Sequence, residues 1–215
     1  MRKTSYVVTF FVVAVSLLLN VFSIQRSDWL IVRYPEVLGS RLTVEYGLMR
    51  SCEYQAVRLP VGGGSKIEYS DYRCRSFPAR VKDGCEKENQ TFCVEWTTAG
   101  YLSELATGFG AVSTLAIVFG VTTHSRRRRI WKMVAALVAL HAICLIGTFA
   151  IITDTYNQAN FPGFERARPG VAYILGTLAW VTAVLLTFGV TVTGTAASMG
   201  HRWAAGNRAY TPIQG

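Results

Sequence analysis

The sequence predicts an α-helical membrane protein: a four-helix transmembrane bundle with a small disulfide-stabilised antiparallel β-sheet in its first extracellular loop. Three observations lead there. Four long stretches carry no charge, the net charge is confined to three short segments, and four of the five cysteines fall between the first two uncharged stretches. Composition agrees, because 51% of the 215 residues are hydrophobic and 16% are charged, against about 25% charged in an average soluble domain. With 12% aromatic residues, the chain has too much apolar surface for disorder.

The uncharged stretches are residues 6–24, 105–123, 133–153 and 169–200, the third interrupted only by His141. Each has 19 residues or more, and about 20 helical residues at about 1.5 Å rise cross the roughly 30 Å hydrocarbon core. The spans are placed at residues 6–25, 99–123, 131–153 and 170–197. Arg2 and Lys3 before the first run suit a signal peptide, but Asn20-Val21-Phe22-Ser23-Ile24 offers no clear small-x-small cleavage site. The first run is therefore expected to stay as a helix.

Orientation follows from the basic flanks, which resist translocation. The N-terminal residues 1–5, the link 124–130 with its neighbour Lys132, and the tail 198–215 hold the whole net charge of +9 and no acid. The segments between them, residues 26–98 and 154–169 with Glu104, are neutral in sum. Both termini and the run Arg126, Arg127, Arg128 and Arg129 are thus expected on the cytoplasmic side. That run reads as a stop-transfer anchor, and the lipid bilayer is the partner it implies. A charge so partitioned does not form one basic face, which argues against nucleic acid as a partner.

Cys52, Cys74, Cys85 and Cys93 all lie in the large loop, and Cys144 lies inside the third span. An even number on the outside suits an oxidising exterior. Three pairings are open to four cysteines, and the local one, Cys52 with Cys74 and Cys85 with Cys93, is favoured. Metal binding is disfavoured, since the loop has neither a histidine nor a C-x-x-C pair. No cofactor is expected. Asn89-Gln90-Thr91 is the chain's one Asn-x-Ser/Thr acceptor, so Asn89 is a candidate glycosylation site.

Within the loop, Leu42, Val44, Tyr46 and Leu48 alternate with Thr43, Glu45 and Gly47, the period-two pattern of a half-buried strand. Phe92, Val94 and Trp96 repeat it, and residues 29–34 and 67–73 are further strand candidates. Leu59-Pro60-Val61-Gly62-Gly63-Gly64-Ser65 reads as a flexible tip, because consecutive glycines lose much entropy on ordering.

Trp29, then Gly47-Leu48-Met49 followed two residues later by Cys52, with Cys74 as a second cysteine, resembles the first-loop signature of the claudin and peripheral myelin protein superfamily. The fuller run through Cys74-Arg75-Ser76-Phe77-Pro78, Cys85, Phe92-Cys93 and Trp96, with Phe161-Pro162-Gly163-Phe164 in the second loop, is closest in pattern to fungal claudin-like proteins. Met49 stands where the animal signature has tryptophan, and 21 residues separate the two cysteines. The tail ends Tyr210-Thr211-Pro212-Ile213-Gln214-Gly215 rather than in the hydrophobic dipeptide that PDZ domains bind, so a PDZ-linked junction scaffold is not implied. What the resemblance implies is a plasma-membrane protein that is not an enzyme and acts in adhesion or membrane organisation through its extracellular loops and lateral helix contacts. Self-association or another membrane protein is the implied partner, and an auxiliary subunit that tunes a channel or transporter is the alternative.

A search for catalysis finds one constellation. His141 and Cys144 are three residues apart and share a helix face, yet no acid lies near them in the spans. A histidine bonded to a serine or threonine of a neighbouring helix is the expected arrangement. Ala172 with Gly176, Ala135 with Ala139, and Ala116 with Gly120 are small-x-x-x-small pairs suited to close helix packing. Thr187, Thr191 and Thr195 fall on one face of the fourth span and can bond across helices or back to their own carbonyls.

Overall fold

A computed structural model describes residues 3–36, 40–60, 66–121, 124–159 and 161–205. In chain order the elements are α1 (Lys3–Gln25), β1 (Leu30–Arg33), β2 (Ser40–Tyr46), β3 (Arg50–Pro60), β4 (Lys66–Ser76), α2 (Gln90–Val121), α3 (His124–Asn157), a 3-10 turn (Phe164–Arg166), β5 (Ala167–Pro169), α4 (Val171–Ser198) and the short α5 (Arg202–Ala205). The four long helices are each apolar and long enough to cross a membrane. The chain divides into two compact units, one formed by residues 1–20, 104–146 and 178–215, the other by residues 21–103 and 147–177.

The first unit is helical. Tyr6, Val13, Ile117, Val134, Val138 and Val190 form its apolar core. Small residues let rings approach the backbone: a methyl group on Gly120 would sit 2.9 Å from the Tyr6 ring, and one on Gly194 would collide with Trp131. Thr187, Thr191 and Thr195 each donate to the carbonyl four residues earlier on their own helix, so these hydroxyls are satisfied within α4.

The second unit holds a five-stranded antiparallel sheet in the order β4-β3-β2-β1-β5. Three of its strands coincide with sequence candidates. Leu30 and Val32 point inward and are fully buried while Arg33 is exposed, as the alternation of a strand requires. β3 was not anticipated, because Glu53, Tyr54 and Gln55 are all exposed and its residues show no clean alternation. β5 is three residues long, too short to carry any pattern.

Two expectations are corrected. Phe92, Val94 and Trp96 are not a strand but the first turns of α2. Phe92, Cys93, Trp96 and Ala99 are buried and Val94 is exposed, which is the i, i+3, i+4 spacing of a helix face. A five-residue alternation contains the same i, i+4 pair, so the short window read as either. The element limits shift as well. α2 begins at Gln90 rather than residue 99, so the last residues of the segment 26–98 are helical. The link 124–130, expected as a loop, is helical backbone at the start of α3, although the side chains of Arg126, Arg127, Arg128 and Arg129 lie outside the described structure. α3 runs to Asn157, beyond residue 153, and the segment 154–169 contains the 3-10 turn and β5. The glycine tip at Gly62, Gly63 and Gly64 and the end of the tail lie outside the described residues.

Candidate functional site

The disulfides fix the second unit's strands and the start of its helix. Cys52 and Cys74 are direct partners in the β3–β4 register and are bonded. Cys85 is bonded to Cys93, eight residues later, in the first turn of α2. Cys144 is buried and takes part in neither disulfide.

Between the sheet and α2 lies a cluster of aromatic rings. Trp96 is fully buried, and its indole Nε1 donates to the Gly47 carbonyl at 3.1 Å. Phe77 packs on Tyr46, Phe92 and Trp96. Phe161 stacks on Phe92 with centroids 4.5 Å apart, and Phe164 contacts Tyr46, Phe92 and Trp96. Burial pushes the Tyr46 phenol up to about 12. The two loops of the sequence are therefore one folded body: the second loop contributes β5 to the sheet edge beside β1 and two rings to the core. The motif residues have definite tasks in it. Trp29 donates to the Ser23 carbonyl at 2.9 Å and lies against Gly176, where a methyl group would come within 2.7 Å of the ring. Gly47 has no room for a side chain, because the Arg26 carbonyl stands 2.7 Å from its would-be Cβ. Leu48 is buried in the same core.

Two carboxylates clamp the turns. Asp83, almost fully buried, takes a two-pronged bond from Arg75 at 2.7 Å for each prong and a further one from the Ala79 amide. The carboxylate in turn holds the Arg75 guanidinium above its ordinary pKa. Asp28 is bonded by Arg26 Nε and Nη2, both at 2.7 Å. Burial would raise the Asp28 pKa, but the guanidinium and backbone hydrogen bonds outweigh it and hold the group below the usual carboxylate value. A depressed pKa contributes stability that is present above the unfolded value of about 3.9 and is lost as pH falls through the folded one. Asp28→Asn is expected to lower stability by about 1 kcal/mol at pH 7, a charged hydrogen bond discounted for the half-exposed arginine. Thermal unfolding of variant and parent should converge as the pH falls below about 3.9 and through the lowered folded pKa, where the parent loses its advantage.

Asn89 caps the disulfide turn. Its Nδ2 donates to the Asp83 carbonyl at 2.8 Å, and its backbone amide bonds Gly84. The nitrogen that would carry a glycan is thus already bonded inward by one of its hydrogens.

In the helical unit, His141 is buried to 1% exposure. Its Nδ1 lies 2.7 Å from the Ala106 carbonyl and its Nε2 3.0 Å from Ser16 Oγ. A carbonyl only accepts, so Nδ1 carries the hydrogen. Ser16 also lies 3.0 Å from the Ala179 carbonyl, and its one hydrogen has two acceptors when the ring is neutral. Four helices, α1, α2, α3 and α4, meet at this node, and the ring nitrogens address Ser16 and Ala106 rather than Cys144. The expected bond to a serine of a neighbouring helix is present. His141→Gln, which can donate to one carbonyl and accept from Ser16, should leave thermal stability within error, whereas His141→Leu should lower it by about 0.6 kcal/mol.

Sequence reasoning found the cysteines, Trp29, Gly47, Leu48, Trp96 and His141. It named Arg75 and Phe77 only as members of the run that carries the resemblance and did not single out Asp28 or Asp83, and the spacing of Arg75 and Asp83 gives no local signal. No group of three or more histidine, cysteine, aspartate or glutamate side chains suited to a metal ion occurs among the described residues. Comparison of the sequence with protein-family models and with curated proteins gives no match.

Proposed function

We propose that this chain is a non-enzymatic, claudin-like membrane protein of the plasma membrane, with both termini cytoplasmic, acting in cell-surface adhesion or membrane organisation through its extracellular loops and lateral helix contacts. The observation that carries this reading is the stapled sheet. Both loops are committed to one compact unit, and among the described residues its outer strand β4 pairs with β3 alone. An edge strand of 11 residues presents backbone donors and acceptors that invite a partner. On one face of it Tyr72 and its register partner Tyr54 are 57% and 39% exposed, aromatic rings with polar tips such as protein interfaces favour.

Orientation is tested first. Tags at residues 1 and 215 should resist external protease in sealed cells, and a treated band of unchanged length supports the reading. The proposed glycan on Asn89 should show as an endoglycosidase-sensitive band that Asn89→Gln removes. Function is tested by gentle detergent extraction at native abundance, followed by pull-down. Recovery of further copies of the chain, or of a surface protein of a neighbouring cell, supports adhesion or organisation. Recovery of one stoichiometric channel or transporter instead would replace it with the auxiliary-subunit role.

A further inference from the structure

The second unit carries a groove of about 710 Å³ at the β1–β5 edge of the sheet, lined among others by Ile31, Arg33, Glu165, Arg166, Arg168 and Pro169. Its arginines lack the carboxylate partners that four other arginines of this unit have. Arg26, Arg41, Arg73 and Arg75 are paired with Asp28, Glu36, Asp71 and Asp83. Arg33, Arg166 and Arg168 have no ion-pair or hydrogen-bond partner for their side chains among the described residues, and all three line the one groove. Three guanidiniums against a single carboxylate, Glu165, leave an uncompensated positive site.

Strand geometry explains why they gather there. Leu30 and Val32 face the core, so Ile31 and Arg33 face the other side. Arg168 is the register partner of Ile31 and shares that side. Arg166 enters from the 3-10 turn just before. The sequence separates Arg33 from Arg166 by more than a hundred residues, and only the β1–β5 pairing joins them.

The geometry points to a phospholipid headgroup, bound through its phosphodiester, as the groove's ligand. Guanidinium forks match the paired oxygens of a phosphate, and the chain fixes the depth. Arg168 stands three positions before Val171, the first residue of a helix able to cross the membrane. At about 3.3 Å per extended residue that is within about 10 Å of the helix start, and the headgroup layer adds roughly 5 to 8 Å on each side of the hydrocarbon. The long arginine side chains reach that layer while Ile31 and Pro169 supply an apolar wall for the glycerol and first methylenes.

The test uses the full chain purified in detergent, with native mass spectrometry counting bound phosphatidylglycerol. The parent should retain the lipid, and Arg33→Gln/Arg166→Gln/Arg168→Gln should reduce occupancy about tenfold, while Arg80→Gln, an exposed arginine that does not line the groove, should leave it unchanged. Glu165→Gln, which removes the opposing charge and no arginine, should raise occupancy at limiting lipid about twofold and keeps the test decisive if the triple variant folds poorly. Inorganic phosphate at 10 mM should not displace the lipid. Undiminished occupancy in a folded triple variant, no gain in Glu165→Gln, or displacement by inorganic phosphate would each overturn the assignment, the last by making a soluble anion the ligand.

Discussion

Trp96→Ala is expected to cost about 3 to 5 kcal/mol, the range for removing a fully buried large aromatic side chain. The indole fills the space between α2 and the sheet, touching Phe77, Phe92 and Phe164. Its loss also leaves the Gly47 carbonyl without the indole donor. A domain with a stability of about 5 to 15 kcal/mol keeps little after such a change. Thermal unfolding followed by near-UV circular dichroism should show the loss, and Trp96→Phe should recover part of it by refilling volume without the donor. A double-mutant cycle with Phe164→Ala then tests the union of the two loops. Edge-to-face aromatic pairs contribute about 0.5 to 1.5 kcal/mol beyond burial, so a coupling in that range is expected. Strict additivity would place the second loop outside this core.

Cys52→Ser is the second large effect. Closing a loop of 22 residues removes chain entropy from the unfolded state worth about 3 kcal/mol in the loop-entropy account. The bond also joins β3 to β4, and among the described residues β3 is the one strand that holds β4. The variant should be retained in the secretory pathway and show increased protease sensitivity within residues 50–76. Cys85→Ser opens a loop of only eight residues and should be milder in stability, with its damage confined to the turn before α2. Peptide mapping without reductant should recover the two pairs Cys52–Cys74 and Cys85–Cys93. Normal surface delivery of Cys52→Ser would show that the sheet folds without its staple, and would weaken the claudin-like reading that rests on it.

Both effects concern residues that the sequence singled out, but for reasons the sequence only half supplied. Trp96 was legible as an apolar residue of the loop's end, yet it was read as a strand residue. Its partners Phe92 and Ala99 are helical neighbours, and a window of five residues cannot separate a period of two from one of 3.6. The carboxylates were not legible at all. Asp28 and Asp83 look like any loop acid until Arg26 and Arg75 are seen to close two-pronged bonds on them. His141 stood out because a lone histidine in an apolar run must find partners in the membrane, but nothing in the run named Ser16 or Ala106.

By itself the sequence determined the four apolar helices, the charge partition that predicts their orientation, three of the five strands and the set of cysteines able to pair. These depend on local composition and on periodicities of two to four residues, which survive in one dimension. Tertiary structure alone decided that the second loop completes the sheet, that Phe161 and Phe164 enter the core of the first loop, and that three arginines from distant segments share a groove. Such features arise from pairing across more than a hundred residues. A strand as short as β5 gains its hydrogen bonds and its burial only when β1 is already in place to receive it.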